Sequence, residues 1–182
     1  MLKRCIAALL FAPVLAVANG FSLESPDVHP NGPFANKFVL KGFGCEGGNI
    51  SPELKWKNAP AGTRSFAVTA YDPDAPTGSG WWHWVVFNLP ADTASLPQGA
   101  GDLAAGTMPK GAVQGRTDFG AQGWGGPCPP KGDKPHRFIF TVFALKADKL
   151  DLNENASAAM VGYMLNVNAL AKASFVAKSS RK

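Results

Sequence analysis

Four side chains concentrate the reactive chemistry of this 182-residue sequence. They are Asp72 and Asp74 in the string Asp72-Pro73-Asp74-Ala75-Pro76, His83 within Gly80-Trp81-Trp82-His83-Trp84, and His136 just ahead of the run Arg137-Phe138-Ile139-Phe140. A carboxylate beside an imidazole orients the ring and favours its charged form. A cationic histidine with loop N–H groups would hold a phosphate through charge-assisted bonds, and the carboxylate would alternatively meet an ammonium. The same four groups are acceptable ligands for zinc or another divalent ion, so a metal-dependent hydrolase is the competing expectation. Against it, the sequence has no His-Glu-x-x-His or Cys-x-x-Cys pair and no Gly-x-Ser-x-Gly elbow.

Each signal is weak alone. Asp accepts local backbone hydrogen bonds and Pro presets φ, so an Asp/Pro string is ordinarily a structural turn. A single histidine at a strand start is ordinarily a core or rim residue satisfied by one backbone bond. The constellation carries the weight. Asp72 follows one apolar string, His83 and His136 open two others, and the loop Gly126-Pro127-Cys128-Pro129-Pro130-Lys131-Gly132 leads into His136. One polar patch at a common edge is therefore expected. The third histidine, His29, lies in a polar, Pro-flanked stretch and reads as solvated.

The elements that must position these groups are mainly strands. Phe66 to Tyr71, Trp82 to Leu89 and Arg137 to Leu145 are rich in β-branched and aromatic residues and read as buried, central strands. Simple alternation along the second puts His83, Val85 and Phe87 on one face and Trp84, Val86 and Asn88 on the other. From Ser157 to Lys172, residues Met160, Val161, Met164, Leu165, Asn168 and Ala169 recur at helical spacing, with Asn155 or Ser157 available as N-cap. This predicts one amphipathic helix on the sheet, with the methionines in the core and Gly162 marking a close approach. Ala173 to Ala177 would add a short edge strand. Long loops such as Gly99 to Gly126 are usually functional inside a compact domain.

Charged Lys3 and Arg4, the apolar run Ile6 to Val17 and the small residues Ala16-Val17-Ala18 suit an export signal cleaved before Asn19. No stretch approaches the roughly 20 apolar residues of a membrane helix. Cys5 precedes the apolar run, so no lipid anchor is expected, and the mature protein would be soluble in the periplasm or secreted. The remaining 164 residues, 19–182, suit a single domain. The net charge of +5 falls to +3 without Lys3 and Arg4, too mild for a nucleic-acid binder. Cys45 and Cys128 both lie in glycine-rich loops, and an even pair in an exported protein predicts a disulfide, with reduced thiols as the alternative. Asn49-Ile50-Ser51 fits the glycosylation sequon but is followed by Pro52 and reads as a loop motif.

In order and spacing, the Asp72–Pro76 and Gly80–Trp84 strings and Pro129-Pro130-Lys131-Gly132 followed by His136-Arg137 resemble the signature segments of the phosphatidylethanolamine-binding (Raf-kinase-inhibitor-like) family. Asn49-Ile50-Ser51-Pro52 and Ala159-Met160-Val161-Gly162-Tyr163 extend the resemblance, which looks strongest to the exported bacterial branch. It implies a mainly β fold: a β-sandwich of a large central sheet and a smaller sheet, with a C-terminal α-helix. It also implies a shallow pocket for phosphate-like anions. Asp72, His83 and His136 match the pocket residues, and Asp74, Pro76, Trp81, Pro129 and Pro130 shape its wall. Phe138 stands where better-known eukaryotic members place a tyrosine, so one hydroxyl donor is missing. Their C-terminal gating segment has no counterpart in Ala177 to Lys182.

The expected function is that of an exported binding or regulatory protein with no catalytic residue, cofactor or metal. Its expected partners are a phosphate-containing small molecule, a lipid head group, or a phosphorylated or other protein. Kinase inhibition, which the family name carries, does not transfer on fold alone. A protein-interaction module built on exposed tryptophans is the further alternative.

Overall fold

The computed structural model describes residues 20–182; the expected export signal, 1–18, lies outside the described residues. The elements in chain order are β1 (Ser22–Glu24), β2 (Lys41–Gly42), β3 (Cys45–Glu46), β4 (Leu54–Lys57), β5 (Ser65–Asp72), β6 (Trp81–Pro90), β7 (Ser95–Leu96), β8 (Val113–Gln114), β9 (His136–Leu145), α1 (Ala158–Asn168) and β10 (Ala169–Ser179). The three expected strands are β5, β6 and β9, and they occupy the middle of a five-stranded antiparallel sheet ordered β10-β9-β5-β6-β8. A smaller sheet, β1-β4-β7, lies apart from it, and β2 and β3 form a separate two-stranded hairpin. The expected mainly β sandwich with a late helix is the fold observed.

Two apolar layers follow from side-chain alternation on the large sheet. On one face Phe66, Val68, Ala70, Trp84, Val86, Phe138, Phe140 and Val142 meet Leu23, Leu54, Trp56 and Leu96 of the small sheet. On the other, Ala67, Val85, Phe87, Phe143 and Leu145 meet Ala158, Val161 and Leu165 of α1. A central strand buried on both faces reads as a continuous apolar run, as β5 does. Each fully buried large side chain adds about 1.5–3 kcal/mol of transfer free energy.

The C-terminal third departs from the expectation. Ser157 is the N-cap, its hydroxyl accepting the Met160 N–H at 3.2 Å. The helix stops at Asn168, four residues short of the expected end, and Ala169 begins an eleven-residue strand rather than a short one. Pairing of Ala171 to Ser179 with β9, which buries Ala173, Phe175 and Ala177, overrides the helical spacing of the last turn. Met160 is 49% exposed and so does not join the expected methionine core. Nor is Gly162 required by packing: a Cβ there would sit 3.7 Å from the Trp82 ring, an ordinary contact.

Candidate functional site

Asp72 ends β5, while Trp81 begins β6 and His136 begins β9. Because these strands are antiparallel neighbours, the three termini meet at one end of the large sheet. Alternation directs Asp72 with Ala70 and Val68, and His136 with Phe138 and Phe140, to the face that looks toward the small sheet.

His83 joins them through a register break. Ala70 pairs with Trp84 and Tyr71 with Trp82, so His83 is one extra residue in β6, a β-bulge. Bulges re-aim side chains and recur beside functional sites. Here the bulge turns the imidazole onto Phe138, Phe119 and Trp124, with ring centroids 4.9, 5.3 and 6.5 Å away. The expected sharing of a face with Val85 and Phe87 is therefore corrected, since those two pack toward α1. A second bulge shifts the register between Phe66 and Val68 of β5 and their β6 partners. Beside it Asn88, at φ 60°, bonds the backbone of Leu150 in the helix-side layer, not the face expected for it.

The three groups floor a cleft of about 170 Å³. Its walls are Pro76, Trp81, Pro129 and Pro130, all expected, together with Leu40, Phe43, Ala75, Thr77, Phe119 and Cys128, which sequence reasoning missed. Asp74 and Phe138 are not lining residues. Asp74 turns aside to Arg137, whose Nε and Nη2 and backbone N–H each donate to it at 2.9 Å, and this pairing lowers its pKa to about 2. Phe138 is fully buried beneath the floor, edge-on to Phe34 at 5.3 Å and with its ring centroid 4.9 Å from that of His83.

Asp72 is buried, and both its oxygens are engaged: Oδ1 accepts the Asp74 N–H and Oδ2 accepts His136 Nδ1–H, each at 2.8 Å. The far nitrogen of His136 lies 3.4 Å from Asp133 Oδ2. The partner of His83 is the Gly125 carbonyl, 2.7 Å from Nδ1, and not Asp72. Burial outweighs the nearby carboxylates and pushes the His83 pKa down to about 4, so this ring is neutral at pH 7. Of the two histidines, the one that Asp72 orients is therefore His136 and not His83. The residues expected of a metal site are likewise spent separately, and no group of three or more His, Cys, Asp or Glu placed to hold a metal ion occurs among the described residues.

The Gly125–Gly126 segment that orients His83 is itself built for close approach. A Cβ on Gly125 would lie 2.3 Å from the Phe119 ring, and one on Gly126 would lie 2.3 Å from Phe38 O. Asn49, at φ 52°, clamps the segment from both sides: Nδ2 donates to Trp124 O at 3.2 Å and Oδ1 accepts the Gly126 N–H at 2.8 Å. The Asn49 side chain is thus committed to the loop, as its reading as a loop motif requires. Phe119 touches Phe43, Trp81 and His83 at once. Phe43, 77% exposed at the tip of the β2–β3 hairpin, faces it across the cleft mouth. Cys45 of that hairpin is bonded to Cys128 on the opposite loop, with Cα atoms 6.1 Å apart, as the cysteine pair predicts. Arg181 Nη1 caps the bond, 3.2 Å from Phe43 O and 3.3 Å from Cys45 Sγ.

The sequence pattern described as phosphatidylethanolamine-binding protein matches residues 24–180. The chain is 54% identical over 165 residues to the UPF0098 protein YbcL of Escherichia coli, covering 91% of this chain and 90% of that one. It is 55% identical over 159 residues to YbhB of the same organism, covering 87% and 99%. The crystal structure of YbcL, described there as a new member of the mammalian PEBP family, superposes with a TM-score of 0.87 over 89% of this chain and 99% of that chain. A homologue from Chlamydia trachomatis, 27% identical, gives 0.74 over 90% and 99%. No described helix is long and apolar enough to cross a membrane.

Proposed function

From the premise that the chain belongs to the phosphatidylethanolamine-binding protein family, we propose that it is an exported binding protein whose cleft takes a small phosphate-bearing group and performs no reaction on it. The observation that carries this reading is the convergence of Asp72, His83 and His136 on the floor of one narrow, apolar-walled cleft. Drug-sized ligands occupy about 300–1,000 Å³, so a cleft of about 170 Å³ suits a head group whose remaining atoms stay outside. The proline and aromatic walls exclude water, which strengthens each polar contact made at the floor.

The leader-like residues 1–18 support export, as does the disulfide, a bond that persists in oxidising compartments. A binding rather than catalytic role is supported by the hydroxyl among the lining residues, that of Thr77, which donates to Gly80 O at 2.5 Å and not to either imidazole. A phosphorylated protein would reach the floor only through a side chain small enough to enter.

The test is an NMR titration of residues 19–182 with phosphoethanolamine, following the imidazole signals of His83 and His136. Saturable shifts at both rings, weakened in Asp72→Ala, are expected. Rings that stay unmoved to millimolar ligand would refute the proposal and redirect the search to protein partners.

A further inference from the structure

The direction of the hydrogen bonds on the cleft floor restricts the ligand more narrowly than its size does. A carbonyl oxygen can only accept, so the 2.7 Å contact to Gly125 O fixes the hydrogen of His83 on Nδ1. Nε2 is then the ring nitrogen left to the cleft, and on a neutral ring it is a bare acceptor. The oxygens of Asp72, which also lines the cleft, are acceptors as well. No lysine or arginine lines the cleft. Arg137 is spent on Asp74, and Arg181 on Phe43 O and the disulfide. Among the lining side chains His136 gives Nδ1–H to Asp72 and turns Nε2 to Asp133 Oδ2 at 3.4 Å, and the Thr77 hydroxyl donates to Gly80 O at 2.5 Å, so the donor without a partner is the buried indole N–H of Trp81.

A fully ionised phosphate monoester brings acceptors alone and would set oxygen lone pairs against Nε2 and a carboxylate. The singly protonated monoester carries one P–OH to donate and further oxygens to receive the indole N–H. We propose that the cleft selects phosphate monoesters in their monohydrogen form, with His83 Nε2 as the specificity-determining acceptor of the P–OH hydrogen. This rests on the phosphate-binding reading above. It implies discrimination against oxyanions of equal charge and similar shape that carry no proton, namely sulfate monoesters and phosphodiesters. Recognition by an acceptor that the ligand must satisfy is a steep filter, because the analogue lacking the hydrogen leaves that acceptor buried and unpaired.

The charged groups whose fields reach His83 are Asp72 of β5 and Asp118 of the loop before Phe119. His136 of β9 shares the floor, with Asp133 at its far nitrogen. Since the His83 ring titrates near 4, it stays neutral between pH 5.5 and 8, the window in which the ligand, with a second pKa of about 6, loses its own proton.

The experiment is calorimetric titration of the intact mature protein with methyl phosphate, methyl sulfate and dimethyl phosphate at pH 5.5, and with methyl phosphate up to pH 8. At pH 5.5 the three probes carry mostly one negative charge each, and only methyl phosphate has a hydrogen to give. Binding of methyl phosphate at least tenfold tighter than either analogue is expected, with affinity falling about tenfold per pH unit above 6. His83→Phe should abolish the preference. Long-range proton–nitrogen NMR on the wild type should find the hydrogen of His83 on Nδ1, a readout independent of any variant's folding. Equal binding of the three probes, tighter binding at pH 8 than at pH 5.5, or a hydrogen on Nε2 would overturn the selection while leaving phosphate binding intact. Failure of methyl phosphate and phosphoethanolamine to bind at any pH would overturn both.

Discussion

Acidification from pH 7 to pH 4 should weaken the fold through His83. In the unfolded chain this ring takes up a proton near pH 6.5, whereas in the fold burial among Phe119, Trp124 and Phe138 delays uptake to about pH 4. Between those values the unfolded state binds more protons, so stability rises with pH across the window and is lost as pH falls through it. The gap between 6.5 and about 4, at 1.36 kcal/mol per unit, amounts to about 3 kcal/mol at pH 4 relative to pH 7. Below about pH 4 this contribution stops growing. Asp27 and Asp74 also have lowered pKa values and lose stabilisation in acid, so the histidine must be isolated by difference. Urea unfolding followed by tryptophan fluorescence at pH 7, 5.5 and 4 should be run on the wild type and on His83→Gln, whose amide can still donate to Gly125 O but does not titrate. The wild type should lose about 3 kcal/mol more than the variant between pH 7 and 4. Parallel losses in the two proteins, or an NMR titration midpoint of His83 near 6.5, would refute the argument that burial governs this ring.

The remaining expectations concern the supports of the cleft. Asn49→Ala removes two hydrogen bonds that bracket Gly125 and leaves alanine at positive φ; a loss of about 2–4 kcal/mol is expected in urea unfolding, with weaker phosphoethanolamine binding. Gly125→Ala should displace Phe119, with which the new Cβ would collide, and cost binding measurably more than stability when calorimetry and denaturation are compared. Replacing Cys45 and Cys128 by serine opens a loop of 83 residues and should lower stability by about 4 kcal/mol, read as a shift in the urea midpoint. Asp74→Asn should leave phosphoethanolamine affinity within about twofold, because the side chain faces Arg137 and not the cleft, while thermal unfolding moves down by a few degrees.

The sequence was informative where structure is local or simply periodic. The apolar runs of β5, β6 and β9 follow from composition, and their shared end follows once the strands are antiparallel, so Asp72 and His136 were legible as neighbours. The Ser157 cap was legible for the same local reason. What escaped depends on contacts distant in sequence. Asp74 matches its motif, yet its direction is decided by Arg137, 63 residues away. Phe119 sits in a loop without a period, and its role arises only because Phe43, Trp81 and Gly125 come to meet it. The end of the helix escaped because Asn168 and Ala169 fit helical spacing, while the pairing partner that claims the residues beyond them lies in β9. The nearest usable signal for the missed cleft mouth was Gly42-Phe43-Gly44, an aromatic between two glycines in a hairpin that requires positive φ at all three.

The bulge in β6 has a consequence for how such a cleft can be lost or moved. Trp81, Trp82 and Trp84 would keep their alternation if His83 were cut out, because the extra residue occupies no position in the pairing with β5. The imidazole is thus an insertion at one of the two places where β6 slips its register against β5. Deleting that single codon would restore regular pairing at this end of the ladder, with both flanking indoles still on their own sides and the imidazole gone. A point substitution leaves a foreign side chain in the cleft, whereas the deletion leaves a hole of known shape. Loss of the imidazole thus has a route open that shortens the chain by one residue and spares the pairing on either side.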